Sequence, residues 1–419
     1  MIRESTLPCG VRLLTEAMPQ VRSATIGIFA DVGSAAEPPE RRGISHLLEH
    51  MLFKGTPRRS ARRIAEEMDA VGANLNAATD KELTVFYAHV IDRHLPLAVD
   101  VLADMFQHST LDAHELKKER EVVIEEIKMY DDSPDEVVND LFARTLWRGA
   151  HLGDPVIGFA HTVAAIERET LADWHRSRYV PGTVTIAAAG NLDHDALAAL
   201  CGDAFAGFGG LGTAPPPESP VFVPTITITR DDTEQAYVML GMPGLSMRDE
   251  RRYTLSVLDT ILGGGMSSRL FQEVREERGL AYEVSSFQQA YRAAGLFGVS
   301  AGTSPERVQE CIDLIVDELD RFAEDGATED EVRRAREHLK GNMTLALENT
   351  SSRMSRLARN AIVHGRQISA EEVEAHFDAV DKAAVDALAR EILAPAQRGL
   401  CVLGPLDPDR VTLRGSSAA

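Results

Sequence analysis

The chain has 419 residues, more than one ordinary domain holds, so two or three domains are expected. Its 44% hydrophobic and 26% charged residues are those of a folded globular protein and exclude a disordered one. A formal net charge of −21 argues against nucleic acid or an anionic membrane as partner and leaves cationic partners, basic peptides among them, electrostatically favoured.

The opening Met1-Ile2-Arg3-Glu4-Ser5-Thr6 lacks the basic and apolar runs of a signal peptide, and no run of about 18 apolar residues spans a membrane. The four cysteines (Cys9, Cys201, Cys311, Cys401) are scattered, with no C-x-x-C pair, and read as small buried hydrophobes of a reducing compartment. A cytoplasmic protein with no membrane contact is the simplest expectation.

In chain order, a strand over residues 25–30 precedes the segment His46-Leu47-Leu48-Glu49-His50. In H-x-x-E-H, two imidazoles four residues apart share a helical face with the glutamate beside the second. Two neutral imidazoles and one distant carboxylate make a three-ligand zinc site with a position left for water, and Glu49 is then free to act as base. Two core histidines satisfied by hydrogen bonds are the plain alternative. Amphipathic spacing of Ile64, Met68 and Val71 predicts a helix over 61–71. Gly72-Ala73-Asn74-Leu75-Asn76-Ala77-Ala78-Thr79 carries an ordinary turn signal, followed by a strand over 82–90 and a helix over 95–106.

A charged helix then covers 115–126, with Glu119 and Glu126 seven apart on one face and Glu125 turned away. Glu126 is the candidate third ligand and Glu119 its support. Ser133-Pro134 starts another helix, whose acidic first turn complements the helix dipole; Glu136 and Asp140 lie four apart on it. A strand over 183–189 closes the first half.

Gly207-Phe208-Gly209-Gly210 through Pro215-Pro216-Pro217-Glu218-Ser219-Pro220 can continue neither a helix nor a central strand, so 207–220 is read as a linker between domains 1–206 and 221–419. The second half echoes the first: residues 327–334 overlay 111–118, and 403–407 overlay 189–193. On that register Ala335 and Asn342 stand opposite Glu119 and Glu126, and a slightly shifted register sets Ile261-Leu262-Gly263-Gly264-Gly265 opposite H-x-x-E-H, so the second half keeps the scaffold without the ligands. Strands and helices mix without strict alternation, which gives an α+β class.

Gly43-Ile44-Ser45-His46 through Lys54-Gly55-Thr56, the distance to Glu126 and the Glu119/Glu126 pair resemble the pitrilysin/insulinase family of inverzincin zinc metallopeptidases, with closest similarity to processing-peptidase β-subunits and their short bacterial relatives. The resemblance covers essentially the whole chain. It implies two similar domains, each a mainly antiparallel sheet packed with helices, closing as a clamshell around a chamber, with one zinc per chain. It implies His46, His50 and Glu126 as ligands and Glu49 as general base, and it makes Arg275 and Tyr282 the matching partners of the transition state. Read without it, Arg275 is one surface charge on an amphipathic helix ended by Gly279. By the same resemblance Asn76 and Ala77 belong to an edge strand that pairs with substrate backbone, and Glu136 and Asp140 match acidic positions that hold a substrate arginine. The implied function is cleavage of peptides or unfolded segments by a homodimer or heterodimer. The rival is a non-catalytic subunit of the same fold, like the core proteins of respiratory complex III.

Overall fold

The computed structural model describes residues 2–414. The first half runs β1 (Ile2–Thr6), β2 (Arg12–Ala17), β3 (Ser23–Ala30), α1 (Ile44–Leu52), α2 (Ala61–Asp69), β4 (Asn74–Thr79), β5 (Thr84–Ile91), α3 (Leu95–His108), α4 (Ala113–Asp131), α5 (Pro134–Leu146), α6 (Ala160–Ala165), α7 (Arg168–Arg178), β6 (Val184–Gly190) and α8 (His194–Ala204). Residues 207–220 carry neither helix nor strand. The second half runs β7 (Ile226–Arg230), β8 (Ala236–Pro243), α9 (Arg252–Leu262), β9 (Ala281–Ala290), β10 (Gly295–Thr303), α10 (Val308–Asp325), α11 (Glu329–Ala346), α12 (Thr350–Arg359), α13 (Ala370–Ala379), α14 (Lys382–Ile392) and β11 (Gly399–Gly404). Among the described residues, no helix is long and apolar enough to cross a membrane.

Two sheets carry these elements, ordered β1-β2-β6-β3-β5-β4 and β7-β11-β8-β10-β9. Apart from β1 they are the same sheet twice. In each, one parallel pair (β2 with β6, β7 with β11) leads into an antiparallel run. The class is the expected α+β with two alike domains, and matching strand order with matching pairing sense is the structural form of the faint internal repeat.

The compact units are not the contiguous halves 1–206 and 221–419. One comprises Met1–Lys128, Asp154–Pro217 and Leu345–Gln367, the other Met129–Gly153, Glu218–Thr344 and Ile368–Ala419. The cause is where two helices bury their apolar faces. Helix α5, from the first half, lays Phe142 and Leu146 on β8 and β11, so close that a side chain at Gly241 would meet Leu146 at 2.3 Å. Helix α12, from the second half, lays Met354, Leu357 and Ala358 against Leu14, Phe29, Ala187 and Ala189 of the first sheet. A Cβ at Gly27 would come within 2.8 Å of the Met354 sulfur, so glycine is what lets this helix lie on β3.

The opposite face of the first sheet holds the main core of that unit. Ile26, Ile28, Phe86, Ala88 and Val90 from the strands meet Leu47, Leu48, Met51 and Leu52 of α1 and Leu102 and Phe106 of α3. Burying each large apolar side chain of α1 contributes about 1.5–3 kcal/mol, enough to hold a helix of only nine residues in one orientation.

The start of α1 is fixed by a buried acid. Gly43, at φ +91°, offers no side chain to cap the helix. Instead the Glu37 carboxylate accepts hydrogen bonds from the amides of Gly43 (2.7 Å) and Ser45 (2.8 Å). Arg42, itself buried, donates to Asp154 at 2.8 Å and to the Glu37 carbonyl, tying the cap in place. Burial outweighs these bonds and pushes the Glu37 carboxyl up to about 7. A carboxyl raised on folding favours the folded state below its ordinary value of 4.5 and progressively less as pH rises toward 7. The stability of wild type relative to Glu37→Gln should therefore fall on the order of 2 kcal/mol across that interval. Denaturant unfolding at several pH values checks it, and a constant difference would contradict the raised value.

Candidate metal centre

Helix α1 buries Leu47, Leu48, Met51 and Leu52 and turns His46 and His50, one helical turn apart, to its other side. Their rings lie 4.7 Å apart, edge to face. Helix α4 buries Leu116, Val123 and Ile127, and that stripe sets its rotation so that Glu119 and Glu126 come over α1. One Glu126 oxygen lies 4.0 Å from Nε2 of His46 and 3.7 Å from Nε2 of His50. One donor atom from each of the three residues falls within 4.8 Å of the others, and among the described residues this is the one such group of three.

These separations bear on the two readings of the histidines. At 3.7 and 4.0 Å the nitrogens are too far from the carboxylate to be hydrogen-bonded to it. Donors each about 2 Å from a common tetrahedral ion stand roughly 3.3 Å apart, so the Glu126 oxygen at 3.7 and 4.0 Å from the two nitrogens would draw in by about half an ångström around an ion. Two imidazole nitrogens and one carboxylate oxygen are also a zinc donor set, so the residues present fit that ion. Burial, with the neighbouring His50, lowers the His46 imidazole to about 4, which keeps it in the neutral form that can ligate. Its Nδ1 is buried and meets no partner among the described residues.

His50 is oriented from behind. Its Nδ1 donates to a Glu119 oxygen at 3.2 Å, leaving Nε2 directed at Glu126. The other Glu119 oxygen takes the Lys54 ammonium at 2.6 Å, so the carboxylate is held from two sides. Glu49 stands outside the three donors and accepts from the Thr79 hydroxyl at 2.5 Å. Burial raises its carboxyl above the ordinary range, and the Thr79 hydrogen bond opposes that rise. Lys54, Thr79 and Glu37 escape a reading of sequence alone. Lys54 had one available signal, its place one turn beyond His50.

Asn76 and Ala77 lie on β4, an edge strand that among the described residues pairs only with β5. The Ala77 amide donates to the Asn76 side chain at 2.8 Å. Glu136 and Asp140 sit on α5, and Arg275 and Tyr282 also belong to the second compact unit. The Arg275 guanidinium lies 4.8 Å from the centre of the Tyr282 ring and 4.7 Å from that of Phe271. Tyr282 is 78% exposed. A cavity of about 540 Å³ opens beside the pair, with Arg307, Glu234 and Thr303 in its wall. The expected α-helix there is instead π-helical over Phe271–Glu277, and just beyond it the Leu280 amide reaches back to the Val274 carbonyl (2.8 Å) around Gly279 at φ +55°.

Comparison with known proteins agrees with this architecture. Residues 12–159 match the model of the insulinase family (peptidase family M16), and residues 165–339 match that of the peptidase M16 inactive domain. The chain belongs to this peptidase family. It is 44% identical to a protein of Streptomyces coelicolor named an uncharacterized zinc protease, over 97% of this chain and 90% of that one. It is 42% identical to the uncharacterized zinc protease YmxG of Bacillus subtilis, over 94% of this chain and 96% of that one. Its fold is that of a peptidase M16 inactive domain from Pseudomonas fluorescens (TM-score 0.91, 20% identity, 97% of this chain and 98% of that chain). A chain of complex III2 from Candida albicans shares it too (TM-score 0.83, 21% identity, 98% of each chain).

If Glu119 sets the orientation of His50, Glu119→Ala should weaken zinc binding about 10–100-fold while leaving the stoichiometry at one. Competition with a chromophoric chelator measures this, and an unchanged affinity would remove Glu119 from the site.

Proposed function

We propose that the protein is a zinc-dependent endopeptidase that cleaves peptides and unfolded polypeptide segments. The observation that supports this most is the meeting of His46, His50 and Glu126 with Glu49 beside them and outside the donor set. Zinc bound by those three residues would polarise the scissile carbonyl and bring water within reach of deprotonation near neutral pH. Glu49, half-buried and raised by that burial, takes the proton of the attacking water and returns it to the departing amine. Arg275 supplies a cation and Tyr282 a hydroxyl toward the oxygen on which negative charge develops.

The open edge of β4 at Asn76 and Ala77 takes the peptide as an added strand, which gives affinity through main-chain bonds with little reading of side chains. Glu136 and Asp140 offer carboxylates to a basic substrate residue, in keeping with the net charge of −21. We further infer that the two halves enclose the substrate in a chamber, that folded proteins are thereby spared, and that the chain works as a dimer. The fold alone also suits a scaffold role, but a scaffold has no use for an intact donor set with a base beside it.

Glu49→Gln separates the metal from the chemistry. The variant should retain about one zinc per chain and lose hydrolysis of an unfolded basic peptide by about 10²–10⁴-fold. His46→Ala and Glu126→Ala should lose both. Metal analysis beside single-turnover cleavage checks all three, and a Glu49→Gln protein as active as wild type would overturn the assignment of the base.

A further inference from the structure

Residues of β4 alternate between the faces of the first sheet. Leu75 and Ala77 pack toward the core that holds α1, and Thr79, two residues on, faces the same way. Its hydroxyl meets the Glu49 carboxylate at Oε2, 2.5 Å away. A half-buried carboxylate on a helix otherwise packed with leucines has few places to turn, and Thr79 takes one of its two oxygens.

The backbone that carries this hydroxyl is itself fixed. Thr79 pairs with Thr84 across the hairpin, and the next amide, of Asp80, donates to the Leu83 carbonyl at 2.7 Å. The carbonyls of Asp80 and Lys81 accept from the amides of Ser34 (3.1 Å) and Ala35 (2.8 Å). Those two residues lie just before Glu37, the acid that caps α1. A Cβ at Gly33 would fall 2.3 Å from the Asp80 carbonyl oxygen, so the two segments touch backbone to backbone. The end of β4 is thus stitched to the segment that leads into the helix of the base. Threonine, branched at Cβ, adds a restricted side-chain rotation of its own.

We propose that Thr79 is a positioning residue for Glu49: its hydroxyl holds Oε2, leaves Oε1 for the attacking water, and sets the base in register with the strand on which the peptide lies. The proposal rests on the peptidase reading above. Two residues separate Thr79 from Ala77, whose edge is the assigned docking line for substrate backbone, so one strand locates both the scissile bond and the group that activates water against it. Valine has nearly the shape of threonine without the donor, and serine keeps the donor without the methyl.

Steady-state kinetics of Thr79→Val and Thr79→Ser, with metal analysis and crystal structures of the zinc-loaded proteins, test it. Thr79→Val should keep its zinc and its KM while kcat falls about 10–100-fold, the worth of one hydrogen bond to a charged group. Thr79→Ser should recover most of that loss. In the Thr79→Val crystal the Glu49 carboxylate should leave the orientation it has in wild type. Wild-type kcat in Thr79→Val, a loss confined to KM, or equal impairment in Thr79→Ser would each overturn the proposal. Should zinc-loaded wild type cleave no peptide, the peptidase reading fails on its own, and the crystals still decide: an unchanged Glu49 carboxylate without the hydroxyl refutes positioning.

Discussion

A helix of nine residues must do two incompatible things at once. It has to bury Leu47, Leu48, Met51 and Leu52 in the core of its unit, and it has to carry two imidazoles and a carboxylate at the edge of that core. Polar groups in such surroundings are expensive unless each finds a partner. Most of the partners come from elsewhere in the chain: Glu119 from α4, Thr79 from β4, and Glu37 at the helix start, while Glu126 of α4 stays beyond hydrogen-bond reach at 3.7 Å from His50. Nearly every feature of the site follows from satisfying this one helix, and the residual spacing among His46, His50 and Glu126 is what a cation would fill.

The second unit shows the same scaffold relieved of that demand. Its sheet repeats the strand order and pairing sense of the first, and α9 and α11 take the places of α1 and α4. Where the first unit has histidines and glutamates, the second has Ile261, Gly264, Gly265, Ala335 and Asn342, and Ala335 simply joins the core. Each unit is completed by a helix from the opposite half of the chain, α12 on the first sheet and α5 on the second. Neither half of the sequence closes its own core, so the two units are expected to fold interdependently although each has its own hydrophobic cluster.

That His46, His50 and Glu126 come together was legible because much of that information is local. Positions i and i+4 share a helical face whatever surrounds them, and Glu119 and Glu126 at a spacing of seven do the same on α4. The α+β class and the internal repeat were legible for a similar reason, since strand and helix periods survive in each half. The exchange of α5 and α12 was not, because an apolar stripe says that a helix covers a sheet but not which sheet. Thr79 and Glu37 were invisible for want of any periodic mark: a hydroxyl at a strand end meets a carboxylate 30 residues earlier only after the hairpin is folded against α1. Arg275 and Tyr282 stood out through family resemblance alone, and composition does not announce the wide π-helical turn that carries Arg275.

The proposed chemistry needs three side chains sharing one ion, and X-ray absorption at the zinc edge reads that directly. Purified protein should show two imidazole nitrogens and one or two oxygens at about 2.0–2.2 Å, with no sulfur, and one imidazole fewer after His50→Ala. A spectrum without imidazole scattering, or one that His50→Ala leaves unchanged, would mean that the cluster formed by α1 and α4 is not the metal site.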